Sequence, residues 1–346
     1  MRGNVLIGWL SSPLRVAGAL VIAVLVTLVI LVKIQSGYTL FVVDVAHPVA
    51  PLVTVHGAKP QHGGGTLYFV DVHEIEASEF DMLFRSWLYP HSSQIKTSLL
   101  LPPGTNNAQY LQGALREMAT SEKIAAAVAE KELGLPVVAR NDGVLVDNVF
   151  AGTQAAARID PADVIVAANG KPTVTIAQLQ AVDAPLKPGD VVHLTIVRGS
   201  QTIHVSVKTF PDPRDAQRAI IGIIPEQSTK IVHLPVKVRI DSEGIGGPSA
   251  GLAFTLELMR KLGANVTHGY RVAATGEMRL DGTVLPIGGV QQKTWGVRAA
   301  GAQVFLVPAG GNARRAREFA GPNLRVIPVR TLKQALRALA ALPKLH

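Results

Sequence analysis

The 346-residue sequence contains no cysteine, which excludes disulfides, thiolate metal sites and cysteine nucleophiles at once. Aromatic residues make up only 5% of it and charged residues 17%. Lysine and arginine leave a formal net charge of +9, yet they form no dense block with interleaved aromatics; the richest cluster is Arg314, Arg315 and Arg317. The charge is a surface bias, and nucleic acid is not among the expected partners. No H-E-x-x-H occurs, because His73-Glu74 is followed by Ile75-Glu76-Ala77. No G-x-S-x-G elbow and no G-x-x-x-x-G-K-[ST] phosphate loop occurs either. No metal, nucleotide or other cofactor is therefore expected. With 48% hydrophobic residues the chain reads as well-packed globular material, long enough for two domains or for one with appendages.

One long apolar run is present. Val16 to Val32 carries no charge and is bracketed by Arg15 and Lys33. At about 1.5 Å per residue it reaches roughly 25 Å, enough to cross a bilayer when the flanking cations snorkel. A buried core helix would show a polar face, and Thr27 is the only polar residue here. A cleaved signal peptide is the alternative; its apolar part is usually shorter, and "KIQSGYTL" offers no A-x-A-like site, only Ser36 and Gly37. Arg2 and Arg15 precede the run and Lys33 alone closely follows it. The positive-inside rule then makes residues 1–15 cytoplasmic and residues 16–34 a single-pass anchor in membrane lipid, with the rest of the chain extracytoplasmic.

Beyond the anchor the texture changes twice. From 38 to 132 there are strand-like runs ("YTLFVVDV", "GTLYFVDVHEI"), a loop "HGAKPQHGGG" at 56–65, a helical run "SEFDMLFRSWL" and a long polar helix from Asn107 to Lys131. From 133 to 210 short β-rich segments follow one another, with an Asn169-Gly170 hairpin turn and one helix, "TIAQLQAVDA". From 211 to 346 strands and helices alternate, which predicts an α/β (α+β) layer structure.

Within that last part, "GGPSAGL" at 246–252 places Ser249 ahead of an apolar helix. Serine is a common helix N-cap and proline is common in a first turn, so a capping role stands as one reading. A second feature favours another. In "GVQQKTWGVRAAGA", read as a helix from Gly289, Val290, Lys293, Val297 and Ala300 share one stripe, with Gln291, Gln292 and Arg298 on other faces. A lysine that cannot snorkel out of such a stripe is desolvated, which lowers its pKa. A neutral amine beside a serine hydroxyl is a general base, and Ser–Lys is a known variant of the serine-hydrolase arrangement. His204, His233 and His268 stand in no signature of their own, and Asp241 and Glu243 near Ser249 are expected to be loop-solvated.

Two resemblances add to this reading. "ELGLPV", "GVLVDNVFAGTQAAARIDPADVIVAANGKP" and "IAQLQAVDAPLKPGDVVHLTIVRG" together resemble a PDZ domain. The resemblance implies a groove that takes an extended peptide as an added strand, with backbone N–H groups near Leu133, Gly134 and Leu135 receiving a terminal carboxylate. "GGPSAGLAFTLELM" followed by "AATGEMRLDGTVLPIGGVQQKTWGVRAAGAQVFLVP" resembles the proteolytic domain of Lon proteases, including the 44-residue separation of Ser249 and Lys293. That resemblance implies Ser249 as nucleophile, Lys293 as general base and Thr275 as the threonine that helps hold the lysine. N–H groups around Gly247 and Ser249 become candidates for the oxyanion hole. Gly246 departs from the family, standing where many of its members have an acidic residue three before the serine.

The absence of a phosphate loop departs from soluble Lon proteases. The arrangement as a whole resembles the membrane-anchored, ATP-independent PDZ–Lon-like proteins of bacteria, with a PDZ domain inserted into the protease fold. It implies a serine endopeptidase acting on protein or peptide substrates, and it allows a homo-oligomer. The rival reading is a catalytically silent PDZ scaffold at the membrane; a basic surface protein that binds anionic polymers is a third.

Overall fold

The computed structural model describes residues 13–58, 64–100, 107–242 and 244–343, which fall into two compact units. The amino-terminal cation Arg2, residues 59–63 of the expected loop at 56–65 and Glu243 lie outside the described residues.

The smaller unit holds residues 13–43 and 72–100. Its helix Pro13–Lys33 is apolar and unburied, with a mean hydropathy of 2.8 over Arg15–Lys33. By length and composition it suits a membrane span, and an amino-terminal signal sequence has the same features. A three-stranded antiparallel sheet follows, in the order Val72–Ser78, Gln35–Val43, Ser93–Lys96. Two short helices, Glu79–Leu83 and Arg85–Leu88, begin at a capping box in which Ser78 and Asp81 satisfy each other's backbone N–H groups. The stretch 38–132 thus does not travel as one piece: residues 38–43 and 72–100 belong with the apolar helix, while 44–71 and the long helix Asn107–Glu132 belong to the larger unit.

In the larger unit a five-stranded sheet runs His47–Pro48, Thr66–Phe69, Arg271–Ala274, Val304–Pro308, Arg325–Val329, and all but the first are parallel neighbours. Parallel sheets are covered on both faces, which is why "VFLVP" is apolar without alternation. Val272, Ala274, Val304 and Leu306 pack on one side with the helix Gly251–Lys261. Ala273, Phe305 and Val307 pack on the other with Val290 and Val297 of the helix Val290–Ala299. The serine's helix and the lysine's helix therefore cover opposite faces of one sheet. The charge cluster Arg314, Arg315, Arg317 lies exposed on a helix, Gly311–Phe319, that buries Ala313 and Ala316.

A second sheet, with its own core around Val144, Ile165, Leu194 and Ile196, runs Gln201–Lys208, Val191–Arg198, Val164–Ala168, Val138–Val149, Ile223–His233. Asn169 and Gly170 take φ of 48° and 74°, the left-handed pair that a two-residue hairpin turn of this type requires. The sheet passes the expected limit at 210: Ile223–His233 pairs antiparallel with Val138–Val149 along its whole length, through three register irregularities. Pro225 has no N–H to donate, which an edge strand tolerates.

The chain leaves the long helix for this sheet and returns from it past the same residue. The Leu135 N–H donates to the Glu130 carbonyl (3.0 Å), and the Val236 N–H donates to the Glu130 carboxylate (3.3 Å), with Glu130 fully buried.

Candidate active site

Gly247, with φ of +84°, precedes one turn of 3-10 helix, Pro248–Ala250, which delivers the chain into Gly251–Lys261. Ten consecutive positions of that helix, Gly251 to Arg260, are buried, and the Glu257–Arg260 ion pair (2.9 Å) neutralises the charge this carries inside. Ser249 caps nothing: the helix has no side-chain cap, and its hydroxyl faces Lys293. The capping reading is overturned because the 3-10 turn, with proline first, moves the helix start past the serine.

The backbone at Ser249 is clamped. Its carbonyl accepts the Gly276 N–H (2.8 Å) and the Thr275 hydroxyl (3.1 Å). The Ser121 hydroxyl donates to the preceding Pro248 carbonyl (3.1 Å). Thr275 follows directly on the strand Arg271–Ala274 and is fully buried. Its hydroxyl bonds the serine's carbonyl rather than the lysine, so its contact differs from the expected one: it fixes the chain that carries the hydroxyl.

Lys293 comes from the other face of the sheet. Its helix starts at Gly289, and the Ala46 N–H donates to the Gly296 carbonyl (3.2 Å) one turn beyond the lysine. Gln292 is buried too, so the helix is covered on more than the expected stripe. Lys293 is 4% exposed and its Nζ donates to Ser249 Oγ at 2.6 Å. Burial lowers the amine from its ordinary 10.5 to about 8, and the Asp71 carboxylate opposes that shift. The neutral amine is therefore far more populated at neutral pH than in a solvated lysine.

Two expectations about nearby backbone do not hold, and Gly246 has a packing reason for being glycine. The Gly247 N–H is taken by the Ala114 carbonyl of the long helix (2.8 Å), so it is not free to meet an oxyanion, and the Ser249 N–H remains the candidate. Gly246 sits against the same residue: a Cβ there would lie 2.8 Å from the Ala114 Cβ, so the close approach of the helix favours glycine over an acidic side chain. Leu133, Gly134 and Leu135 offer no open donors. Their N–H groups go to the carbonyls of Ala129, Lys131 and Glu130, and Gly134 has φ of +79°. The paired Gly134 and Leu135 bonds are a Schellman stop at the end of Asn107–Glu132.

Asp44, His47 and Asp71, beside the lysine's helix, bring their ligand atoms within 4.8 Å of one another. Two carboxylates and an imidazole would suit a divalent cation, and His47 Nε2 lies 3.5 Å from an Asp44 carboxylate oxygen. Asp241 is exposed and 3.4 Å from Arg239, the solvated role expected of it. On the strand leaving Thr275, Glu277 is raised to about 7 by burial first and then by Glu226, Asp147 and Glu117. Arg279 pairs with Glu226. Composition and motif gave no sign of this carboxylate group, because its members come from four separate segments.

Comparison with known proteins agrees with the two parts of the larger unit. A family profile described as the Lon protease (S16) C-terminal proteolytic domain matches residues 216–340, and a PDZ domain profile matches residues 123–197. The chain is 40% identical over 136 residues to a Lon protease of Chloroflexus aggregans, covering 37% of this chain and 16% of that protein. It is 37% identical over 164 residues to a Lon protease of Vibrio parahaemolyticus (40% and 21%). It is 44% identical over 116 residues to a mitochondrial Lon protease homolog of Ostreococcus lucimarinus (33% and 11%). The chain thus spans at most 21% of the length of these relatives. A crystal structure of the PDZ domain of an SdrC-like protein from Listeria monocytogenes is 24% identical, covers 24% of this chain and 87% of its own, and has a TM-score of 0.23. One polypeptide therefore carries both a PDZ domain and the C-terminal proteolytic domain of the Lon (S16) proteases.

Proposed function

We propose that the protein is a membrane-anchored serine endopeptidase that works through a Ser249–Lys293 dyad without nucleotide. The observation that carries this is the 2.6 Å contact between a hydroxyl on a clamped backbone and a buried amine with a pKa near 8. Neutral Lys293 accepts the Ser249 proton as Oγ attacks the peptide carbonyl, forming the C–O bond. The negative oxygen of the tetrahedral intermediate lies toward the Ser249 N–H. The protonated lysine gives its proton to the leaving amine as the C–N bond breaks, leaving an acyl-enzyme. The same amine then deprotonates a water that releases the acid and restores the serine. ATP independence belongs to this reading through the resemblance of the anchor, PDZ and protease arrangement to ATP-independent PDZ–Lon-like proteins.

The PDZ part docks chain ends of protein substrates. The edge suited to strand addition is Ile223–His233, where the sheet ends, rather than the turn at Leu133–Leu135. Gln227 on this strand accepts the Ile176 N–H (3.4 Å) and donates to the Val174 carbonyl (2.9 Å), which holds the helix Ile176–Asp183 alongside. Residues 16–34 serve as the anchor, and the cation asymmetry puts the protease outside the cytoplasm.

The test is hydrolysis of an unfolded protein by the full chain in lipid nanodiscs. Products that form with the parent and vanish in Ser249→Ala support the enzyme. Binding of chain ends without any products would leave the scaffold reading standing instead.

A further inference from the structure

Large apolar side chains on a soluble surface are usually scattered singly. Outside the apolar helix, the three most exposed among the described residues are Trp87 (79%), Leu99 (72%) and Leu83 (68%), and all three belong to the smaller unit. Leu83 and Trp87 lie one turn apart on the helical pair Glu79–Leu83 and Arg85–Leu88. Their neighbours Phe80 and Phe84 stack on each other at 4.7 Å instead of adding to the exposed surface.

This helical pair is fastened to the end of the apolar helix. The Glu79 N–H donates to the Ile34 carbonyl (2.9 Å), and the Ser36 hydroxyl donates to the Ala77 carbonyl (2.6 Å). The Ser78–Asp81 capping box fixes the helix start at that point, and the Tyr89 hydroxyl ties the far end back to Asp81 (3.1 Å). From Glu79 to Leu88 the chain can rise by no more than about 15 Å. The exposed residues therefore cannot leave the neighbourhood of Ile34. Tryptophan, with an apolar body and one N–H, favours the boundary between headgroups and acyl chains. Arg85 lies between the two exposed residues, and Lys33 closes the apolar helix, so the local cations suit lipid phosphates.

We infer that the segment Glu79–Leu88 is a second membrane contact, lying in the headgroup layer with Leu83 and Trp87 inserted at the acyl boundary. This rests on the reading of Pro13–Lys33 as a membrane span. The occupant is the bilayer in which that helix sits, because the hydrogen bonds at Ile34 and Ser36 hold the segment at the level where the apolar run ends.

The absence of cysteine makes the test direct. Leu83→Cys, Trp87→Cys, Val24→Cys and Glu76→Cys are each made in the full chain, nitroxide-labelled and placed in nanodiscs containing a third anionic lipid. Accessibility to oxygen, which concentrates in lipid, is compared with accessibility to a water-soluble nickel chelate. Labels at 83 and 87 are expected to favour oxygen as the label at 24 does, while the label at 76, on an exposed strand position, favours nickel. Oxygen preference at 24 with nickel preference at 83 and 87 overturns the contact and leaves the anchor intact. Low accessibility to both reagents at 83 and 87 overturns it in favour of a protein partner, a second copy included. Nickel preference at 24 overturns the anchor reading and this inference with it. Trp87→Ser, unlabelled, provides an independent measure: quenching of tryptophan emission by brominated lipid is expected to fall relative to the parent, and unchanged quenching would count against insertion.

Discussion

Two glycine-bearing turns, Gly246–Ala250 and Leu133–Leu135, read alike in the sequence as places where backbone N–H groups stand open to a ligand. The structure separates them. At the first, the Gly247 donor is occupied by Ala114, but a side chain, the Ser249 hydroxyl, is presented to a buried amine. At the second, all three donors close a helix and no side chain is presented. The difference separates a turn that presents a side chain to a buried partner from a turn that merely contains glycine.

The sharpest way to break this comparison is Lys293→Arg. Arginine keeps the charge but cannot act as a neutral base, so peptide hydrolysis should fall at least about a thousandfold while circular dichroism stays that of the parent. Parent-like cleavage would remove the lysine from the chemistry. Next comes pH. Since only the neutral amine accepts the proton, and its pKa is lowered to about 8, kcat/KM should fall about tenfold per unit as pH drops below that value, and level off above it. A profile flat from pH 6 to 9 would contradict the assignment.

Smaller effects probe the turns themselves. Gly246→Ala pushes a Cβ to 2.8 Å from that of Ala114 and should cost about 1–3 kcal/mol of stability in denaturant melts. Gly134→Ala forces alanine to φ of +79° and should cost about 1 kcal/mol. Affinity for a peptide chain end should not change, whereas a carboxylate-binding turn would lose affinity. The subtlest is Asp71→Asn. It removes the negative charge that raises Lys293, so the acid limb of the rate profile should move to lower pH. Movement in the opposite direction would exclude that charge as the tuning group.

Much of the site was legible because it depends on side chains whose spacing survives in the sequence: Ser249, Lys293 and the apolar stripe around the lysine. The α/β alternation and the Asn169-Gly170 turn were legible for the same local reason. Hydrogen-bond commitments were not. Whether Gly247 donates to a ligand or to Ala114 depends on a helix more than a hundred residues earlier, and no local pattern encodes that. The membership of Ile223–His233 in the second sheet was equally hidden, since a strand's own residues give no hint of which neighbour it will pair with. The split of 38–132 between two units has a similar origin: both parts contain ordinary strands, and only long-range pairing sorts them.

Glu130 carries one last consequence. A single buried side chain and its own carbonyl hold both crossings between the long helix and the second sheet, so the two ends of the intervening stretch are stitched at one point. To the layer built on the parallel sheet, everything between those stitches is a closed bight of chain. Lengthening or shortening a loop with joined ends changes closure entropy only logarithmically, by about 0.6 kcal/mol per doubling. The seam at Glu130 thus lets the chain between the stitches vary in length while the layer built on the parallel sheet keeps its own shape.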